Sequence, residues 1–303
     1  MDKKVIDALL RKIESTEKDT GNPRVQTIVN RIVRDLFATI EEHDVQPHEF
    51  WSAISYLTEA GQSGEYGLIA AGLGLEHFLD LRMDEQEAAQ GLGGGTPRTI
   101  EGPLYVAGAP ETSGLARLDI DEQPGEVLFM QGQVRGADGQ PLAGALVEVW
   151  HANHLGRYSF FDPEQTPYNL RSTIRSDADG RYRLRTRVPV GYSVPPGGAT
   201  DKLLTALGRH GTRPAHIHFF VTAAGHRKLT TQINIDGDPY LWDDFAFATR
   251  EGLVPAMTKV TDPDALRSHG VDQPFHSIEF DFELHAQRDG LPADEIERAH
   301  FVA

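Results

Sequence analysis

The spacing of apolar residues changes abruptly at the glycine cluster GLGGG, residues 91–95. Before this cluster, apolar residues recur every three or four positions, which is typical of amphipathic helices. After it, short alternating or apolar runs are separated by turn residues. Several short strands without intervening helices favour an antiparallel β-sandwich. We therefore expect an α+β fold, with a helical domain over residues 1–95, a linker to about residue 105 and a β-sandwich over residues 106–303.

Asp-Gly pairs mark expected turns of the sandwich, at residues 138–139, 179–180 and 236–237. The segments around them have strand character, and LVEVWH at residues 146–151 alternates cleanly between apolar and polar side chains. The series ends with SIEFDFELH at residues 277–285. We expect the residues after Gly290 to form a loosely held tail.

The helical part contains a helix with an unusually broad apolar face. Asn22 followed by Pro23 is typical of a helix N-cap and first turn. The apolar stripe that follows is formed by Val25, Ile28, Val29, Ile32, Val33, Leu36, Phe37 and Ile40. A surface helix does not need so wide a stripe, so this face either packs against several neighbours or lies at a subunit contact.

The composition excludes several classes of function. The chain carries 29 Lys and Arg and 45 Asp and Glu, a formal net charge of −16, so we expect neither nucleic-acid binding nor electrostatic membrane attachment. The N-terminal residues alternate charged and apolar side chains, so we expect no signal peptide or membrane span and place the protein in the cytoplasm. With no cysteine, disulfides and thiolate chemistry are excluded, and any metal must be held by nitrogen and oxygen.

The segment RPAHIHFF, residues 213–220, carries two histidines two positions apart within a run of strand character. Successive side chains of a strand alternate between its faces, so His216 and His218 point the same way and Ile217 points to the other face. Such a pair is suited to binding a metal, but it does not identify the metal. Histidines that are merely hydrogen-bonded on a strand face explain the pattern equally well.

Two tyrosines lie where strands give way to loops. Tyr158 lies in NHLGRYSFFDP and Tyr192 in VPVGYSVPPGG, and loop ends on a rigid sheet are common positions for ligands and catalytic groups. Taken alone, each tyrosine is better explained as a ring packed beneath a loop with its hydroxyl hydrogen-bonded.

The segments GRYSFFDP, VPVGY, GRHGTRPAHIHFF and GHRKLTTQIN, in this order, resemble the intradiol ring-cleaving dioxygenases. TPRTIEGPLYVAGAP, further upstream, resembles the catechol 1,2-dioxygenase branch of that family. The similarity extends over nearly the whole chain, including the helical part. It implies one mononuclear ferric ion per subunit, held by two tyrosinates and two histidines at the positions of Tyr158, Tyr192, His216 and His218.

The implied ligand set is chemically reasonable for ferric iron. Ferric iron is a hard acid, and phenolate oxygens are hard anionic donors that favour the ferric state. A free tyrosine has a pKa of about 10, so the bound metal must keep both phenols deprotonated at neutral pH. Two tyrosinates would neutralise the Lewis acidity on which a hydrolytic zinc site depends.

The resemblance also implies the reaction and the roles of individual residues. Members of the family cleave catechol with O2 to cis,cis-muconate, a step in the degradation of aromatic compounds. By correspondence, Tyr192 is the ligand that accepts a substrate proton and leaves the metal, whereas Tyr158 stays bound. Arg213 would stabilise the negative charge that develops on the substrate, and Gln232 would lie beside the metal site.

The resemblance further implies an apolar slot for a flat ring. The expected lining residues are Leu68, Ala71, Ile100 and Pro103, with Tyr105 and Phe245 nearby. Some related enzymes have proline at the position of Ala71 and a Gly-Cys pair at the positions of Ser193 and Val194. These differences leave open which substituted catechols are turned over.

In catechol 1,2-dioxygenases the N-terminal helices pair two subunits around a phospholipid-sized amphiphile. We therefore expect a homodimer joined through residues 1 to about 95, with bound phospholipid.

Two other hypotheses stay open on the residues alone. The first is a ferrous or zinc enzyme with a carboxylate or third histidine as ligand, for which the candidates are His151, His154 and His226. The second is a non-catalytic, transthyretin-like sandwich that binds a ligand and no metal.

Overall fold

The computed structural model describes residues 1–121 and 123–287. The expected tail after Gly290 lies outside the described residues, as do the last residues of the expected sandwich domain. The chain divides into two compact units, Met1–Gln62 and Ser63–Ala303. The expected domain boundary near residue 95 stays a prediction, because helices precede and follow the division between these units.

The first unit consists of three helices, α1 (Lys3–Glu14), α2 (Pro23–Glu42) and α3 (Pro47–Gln62). The side chain of Asn22 accepts hydrogen bonds from the backbone N–H groups of Arg24 and Val25, which confirms the expected N-cap of α2. α2 buries none of its residues within the chain, and the apolar stripe is largely exposed: Ile32 is 52% and Leu36 55% exposed.

The helices of the second unit are α4 (Tyr66–Gly72), α5 (Leu75–Ala88), α6 (Ala199–Ala206) and α7 (Pro263–Ser268). Its strands are β1 (Glu111–Ser113), β2 (Leu115–Arg117), β3 (Val127–Gly136), β4 (Leu146–His151), β5 (Arg171–Arg175), β6 (Arg181–Arg187), β7 (Tyr192–Ser193), β8 (Thr212–Arg213), β9 (His216–Thr222), β10 (Leu229–Asn234), β11 (Thr258–Val260), β12 (Phe275–Glu279) and β13 (Phe282–Leu284).

The described strands form two large sheets and one small sheet of β7 and β8, and the two large sheets confirm the expected α+β sandwich. Sheet I has the order β1-β5-β4-β9-β10, and sheet II has the order β11-β12-β3-β6-β2 with β13 also paired to β3. The pairs β4–β5, β4–β9, β9–β10 and β3–β6 are antiparallel. The pairs β1–β5, β2–β6, β12–β3 and β13–β3 are parallel, so the sheets are mixed. Side-chain alternation does not specify strand direction, which is why the sequence did not reveal these parallel pairs.

The core of the sandwich lies between the two sheets. β9 contributes Ile217, Phe219 and Val221 to this core, and β6 contributes Tyr182 and Leu184. Because side chains alternate, the histidines of β9 lie on the opposite, outer face of sheet I. That outer face carries a second apolar cluster containing Trp150, Ala152, Tyr158 and Phe220.

The segment that links the helices to the strands runs along the edge and outer face of sheet I. Thr99 donates its backbone N–H to the carbonyl of Thr230 on β10, at 3.0 Å. Tyr105 donates its hydroxyl to a carboxylate oxygen of Glu148 on β4, at 2.6 Å. Residues 99–105 therefore cover the histidines of β9 with a fixed piece of chain. In the part of the chain that is described, no helix is both long and apolar enough to cross a membrane.

Candidate active site

His216 and His218 occupy the start of β9 and are buried, with 1% and 2% of their surface exposed. Their Nε2 atoms lie 3.0 Å apart, so both rings direct the same nitrogen to one point. The Nδ1 atom of His216 donates a hydrogen bond to the carbonyl of Pro214, at 2.6 Å. This bond fixes the tautomer of His216. Its Nε2 atom carries no proton, so the lone pair of that nitrogen can coordinate a metal.

The two tyrosines reach the same point from separate loops. Tyr158 follows β4, and Tyr192 lies on β7, which pairs with β8 so that Tyr192 is opposite Arg213. The Tyr158 hydroxyl donates to the Tyr192 oxygen at 3.4 Å, and the Tyr192 oxygen lies 3.5 Å from Nε2 of His216. The structure therefore brings together all four residues expected as ligands, although their role as ligands stays a prediction.

Burial shifts the pKa values of three of these side chains, Tyr158, His216 and His218. Burial raises the pKa of Tyr158 well above its usual value, and the neighbouring Tyr192 adds to this effect. Burial and the adjacent Arg213 lower the pKa of His216 to about 3, and burial lowers that of His218 well below its usual value. Both imidazoles are therefore neutral and able to bind a metal, whereas Tyr158 ionises only if a strong cation compensates the charge.

The donor set fits a hard trivalent cation better than a site of the zinc or ferrous type. Among residues 1–121 and 123–287, no group of three or more His, Cys, Asp or Glu side chains is placed to hold a metal. His151 lies between Thr186 Oγ1, at 2.6 Å, and the carbonyl of Ala152, at 2.8 Å. His226 hydrogen-bonds to the carbonyl of Ala224. The hypothesis that a third histidine or a carboxylate completes the site gains no support.

Arg213 lies directly against the candidate metal ligands and is 4% exposed. Its Nη1 atom is 3.1 Å from Nε2 of His216, and its Nη2 atom donates to the Gln232 side-chain oxygen at 2.7 Å. The Gln232 amide nitrogen donates in turn to Asn234, at 3.1 Å. The predicted pair of Arg213 and Gln232 thus lies beside the tyrosines and histidines.

Asp244 is a further member of the site that the sequence did not reveal. Its carboxylate accepts hydrogen bonds from Nε and Nη2 of Arg213, at 3.3 and 3.1 Å, and from the backbone N–H of Ala246, at 3.0 Å. Burial alone would raise the pKa of Asp244, but Arg213 and these hydrogen bonds lower it below its usual value. The preceding residue, Asp243, is also an aspartate, but its side chain is 78% exposed. The sequence contains no signal that shows which of the two carboxylates is buried.

A cavity of about 430 Å³ opens beside Tyr158, Tyr192 and Arg213. All six residues expected at the substrate slot line it: Leu68, Ala71, Ile100, Pro103, Tyr105 and Phe245. Ala71, Ile100 and Phe245 form an apolar cluster with Val194, so one wall is smooth and unable to form hydrogen bonds. A cavity of this size holds a single aromatic ring, and the buried cation Arg213 lies beside the tyrosines.

Two family models match the chain. A model described as "Dioxygenase" matches residues 100–286, and one described as "Catechol dioxygenase N terminus" matches residues 22–91. Together they account for most of the helical region and nearly all of the described strands.

Curated relatives and solved structures agree with these matches. The chain is 70% identical, over 85% of its length and 94% of the relative's, to catechol 1,2-dioxygenase 2 of Acinetobacter lwoffii. It is 50% identical, over 97% of its length and 95% of the relative's, to catechol 1,2-dioxygenase of Acinetobacter baylyi. The crystal structure of wild-type Acinetobacter radioresistens catechol 1,2-dioxygenase, 52% identical, superposes with a TM-score of 0.94 and covers 100% of this chain and 99% of that chain. This chain therefore belongs to the intradiol dioxygenase family, in its catechol 1,2-dioxygenase branch.

Proposed function

We propose that the chain cleaves catechol with O2 to cis,cis-muconate, in the degradation of aromatic compounds. The observation that carries this proposal is the convergence of two phenol oxygens and two imidazole nitrogens at one end of an apolar cavity. Three curated relatives at 50% identity or more are named catechol 1,2-dioxygenase, which supports the choice of substrate.

The residues that would hold iron are Tyr158, Tyr192, His216 and His218. When bound there, a ferric ion would bind catechol through its oxygens and withdraw electron density from it, so that the ring becomes reactive towards O2. Two anionic phenolates and two neutral imidazoles match the preference of ferric iron for hard, charged donors. The described residues contain one such set of donors, so we expect one iron per subunit.

Tyr192 and Tyr158 differ in a way that suits two different roles. Tyr158 is 2% exposed and belongs to the apolar cluster on the outer face of sheet I. Tyr192 is partly exposed and lies on a strand of only two residues. We infer that the phenolate oxygen of Tyr192 accepts a proton from a catechol hydroxyl, whereas Tyr158 keeps its position throughout the reaction.

Arg213 supplies positive charge where the substrate gains negative charge. Its guanidinium lines the cavity and is held by Gln232 and Asp244, so it is oriented before substrate arrives. In a buried site of low polarity, a preoriented donor stabilises a developing anion more than water would. Arg213 therefore acts as an electrostatic catalyst and needs no proton transfer of its own.

The apolar wall of the cavity orients the substrate and excludes water. Leu68, Ala71, Ile100 and Phe245 offer surfaces against which a flat ring can lie. Because these four side chains form no hydrogen bonds, we infer that the two catechol hydroxyls turn away from them and towards the tyrosines and Arg213. The wall thus selects one orientation of the ring.

We further propose that the chain acts as a cytoplasmic homodimer joined through its N-terminal helices, with phospholipid bound between the subunits. The exposed apolar stripe of α2 supports this, because an apolar stripe this long is unfavourable in water. Light scattering at micromolar concentration should give twice the chain mass, and solvent extraction should release phospholipid. A monomer free of lipid would remove this part of the proposal.

Isotope labelling of the product tests the reaction itself. With ¹⁸O2 and catechol, we expect cis,cis-muconate that carries one labelled atom in each carboxylate. A semialdehyde product would mean that the bond broken is not the one between the two hydroxyl-bearing carbons. A product with only one labelled atom would mean that water supplies the second oxygen, and either result contradicts the proposal.

A further inference from the structure

His216 and His218 are held by different means. Nδ1 of His216 donates to the Pro214 carbonyl. Nδ1 of His218 is buried and has no hydrogen-bond partner among the described residues. A metal-binding histidine usually donates its second ring N–H to an acceptor, which fixes the ring plane and directs the other nitrogen at the metal. Something else must therefore fix the plane of His218.

The indole of Trp150 lies flat against the imidazole of His218. The two ring centroids are 4.9 Å apart and the planes differ by only 6°. The contact follows from the sheet register, because Trp150 on β4 and His218 on β9 are direct cross-strand partners. Trp150 is 1% exposed, so water does not compete for this face.

The indole plane is itself fixed by its neighbours. Phe220 meets it at 4.7 Å and 61°, and Tyr105 meets it at 5.1 Å and 66°. Tyr105 is anchored in turn by its hydrogen bond to Glu148. These two edge-on contacts, from rings that also pack against each other, restrict tilting of Trp150, so it offers a flat surface of fixed orientation.

The linker also lies close to His218. A Cβ built on Gly102 would lie 3.7 Å from Cε1 of His218, and the positive φ of Gly102, 70°, favours glycine there. Trp150 therefore covers one face of the imidazole, and Gly102 lies near its Cε1 edge. Rotation of the ring about its Cβ–Cγ bond would carry its edge into the indole.

We propose that Trp150 is a positioning residue for the candidate metal site, and that its indole face performs for His218 the task that the Pro214 carbonyl performs for His216. The inference rests on the proposed function, since it takes His218 as an iron ligand. It assigns to Trp150 no contact with substrate. Its consequence is that iron retention depends on the planar side chain at position 150.

The rate at which iron leaves the full-length, iron-loaded protein tests this proposal. Iron release to a hydroxamate chelator is followed by the loss of the visible band and by direct iron analysis. The variants are W150F, which keeps a smaller ring, and W150M, which fills space without a flat face. The matched control is F219L, because Phe219 is fully buried on β9, next to His218, but faces the core and packs against Phe282.

We expect iron release to accelerate about threefold in W150F and about tenfold in W150M, as for loss of an orienting partner of a metal-bound histidine. F219L should release iron at the wild-type rate, although its metal-free form should unfold at lower denaturant concentration. Release from W150F and W150M at the F219L rate would overturn the proposal. If W150M does not fold, W150F decides in the same way. A wild-type protein that holds no ferric iron would instead overturn the proposed function, and this inference with it.

Discussion

Arg213 and Asp244 form a buried ion pair in which the carboxylate accepts hydrogen bonds from Nε at 3.3 Å and from Nη2 at 3.1 Å. The side chain of Asp244 is 1% exposed and that of Arg213 is 5% exposed. The pair leaves Nη1 of Arg213 directed at His216 and the cavity. Asp244 therefore helps to fix where the charge of Arg213 is presented to the cavity.

Removing the charge of Asp244 should slow turnover. In D244N, we expect kcat to fall about tenfold with a smaller change in KM, because the oriented guanidinium stabilises charge that develops after binding. Breaking a buried pair should also lower the free energy of unfolding by about 3 kcal/mol. Steady-state kinetics and denaturant titration measure both effects. The control is D243N, which alters an exposed carboxylate. A wild-type kcat in D244N would show that the ion pair is only structural.

The two tyrosines at the site should contribute to the visible spectrum, whereas other buried tyrosines should not. We expect Y158F and Y192F to alter or abolish the tyrosinate-to-ferric charge-transfer band. Tyr182 is the matched control, since it is equally buried but donates its hydroxyl to the Phe280 carbonyl in the core, at 2.7 Å. Y182F should lose about 1 kcal/mol of stability and keep the band. A normal spectrum in both Y158F and Y192F would show that the ligands are wrongly assigned.

The stability of the protein should depend on pH through His151. Burial lowers the pKa of His151 to about 4. In the unfolded chain the pKa of a histidine is about 6.5, so between pH 6.5 and 4 the unfolded state binds a proton that the folded state does not. The contribution of neutral His151 to stability is therefore complete above pH 6.5 and is lost as the pH falls towards 4. Asp80 has the opposite effect, because burial raises its pKa to about 7 in the folded state. Its contribution makes the protein more stable, not less, as the pH falls below 7.

A comparison of wild type with H151Q separates these two contributions. Between pH 6 and 4.5, the wild-type free energy of unfolding should fall more steeply than that of H151Q, by about 1.4 kcal/mol per pH unit. Chemical denaturation of the metal-free protein at several pH values measures the difference. Parallel curves for the two proteins would mean that His151 is not held neutral.

The size of residue 71 should control the acceptance of substituted rings. Ala71 is 5% exposed and packs with Ile100 and Phe245 in the cavity wall. In A71V, we expect kcat/KM for a methylcatechol to fall relative to that for catechol by a factor of about 10, since one methyl group in an apolar pocket changes selectivity by about 1–3 kcal/mol. Competition between the two substrates measures the ratio. An unchanged ratio would place the ring substituent elsewhere.

Much of the fold could be predicted from the sequence because its local signals are strong. Asn22 and Pro23 begin α2 as expected, and LVEVWH and RPAHIHFF form paired strands of sheet I. The directions of the parallel strands could not be predicted. Four strands pair in parallel with a neighbour, namely β1, β2, β12 and β13. The alternation of apolar and polar side chains is the same for parallel and antiparallel strands, so it does not reveal this direction.

Only part of the site could be predicted from the sequence. His216 and His218 share a face because of their spacing, but Tyr158 and Tyr192 were identified only through the resemblance to a family. Asp244 could not be separated from Asp243, because burial depends on a loop whose path is set by tertiary contacts. Trp150 has the alternation of an ordinary strand residue, and its contact with His218 depends on the register between β4 and β9.

The visible spectrum of the purified protein tests the central claim most directly. An iron-loaded protein with two tyrosinate ligands should be wine-red, and its band should move to longer wavelength when catechol is added in the absence of oxygen. A colourless protein that gains no band after loading with ferric iron would contradict a site formed by Tyr158, Tyr192, His216 and His218.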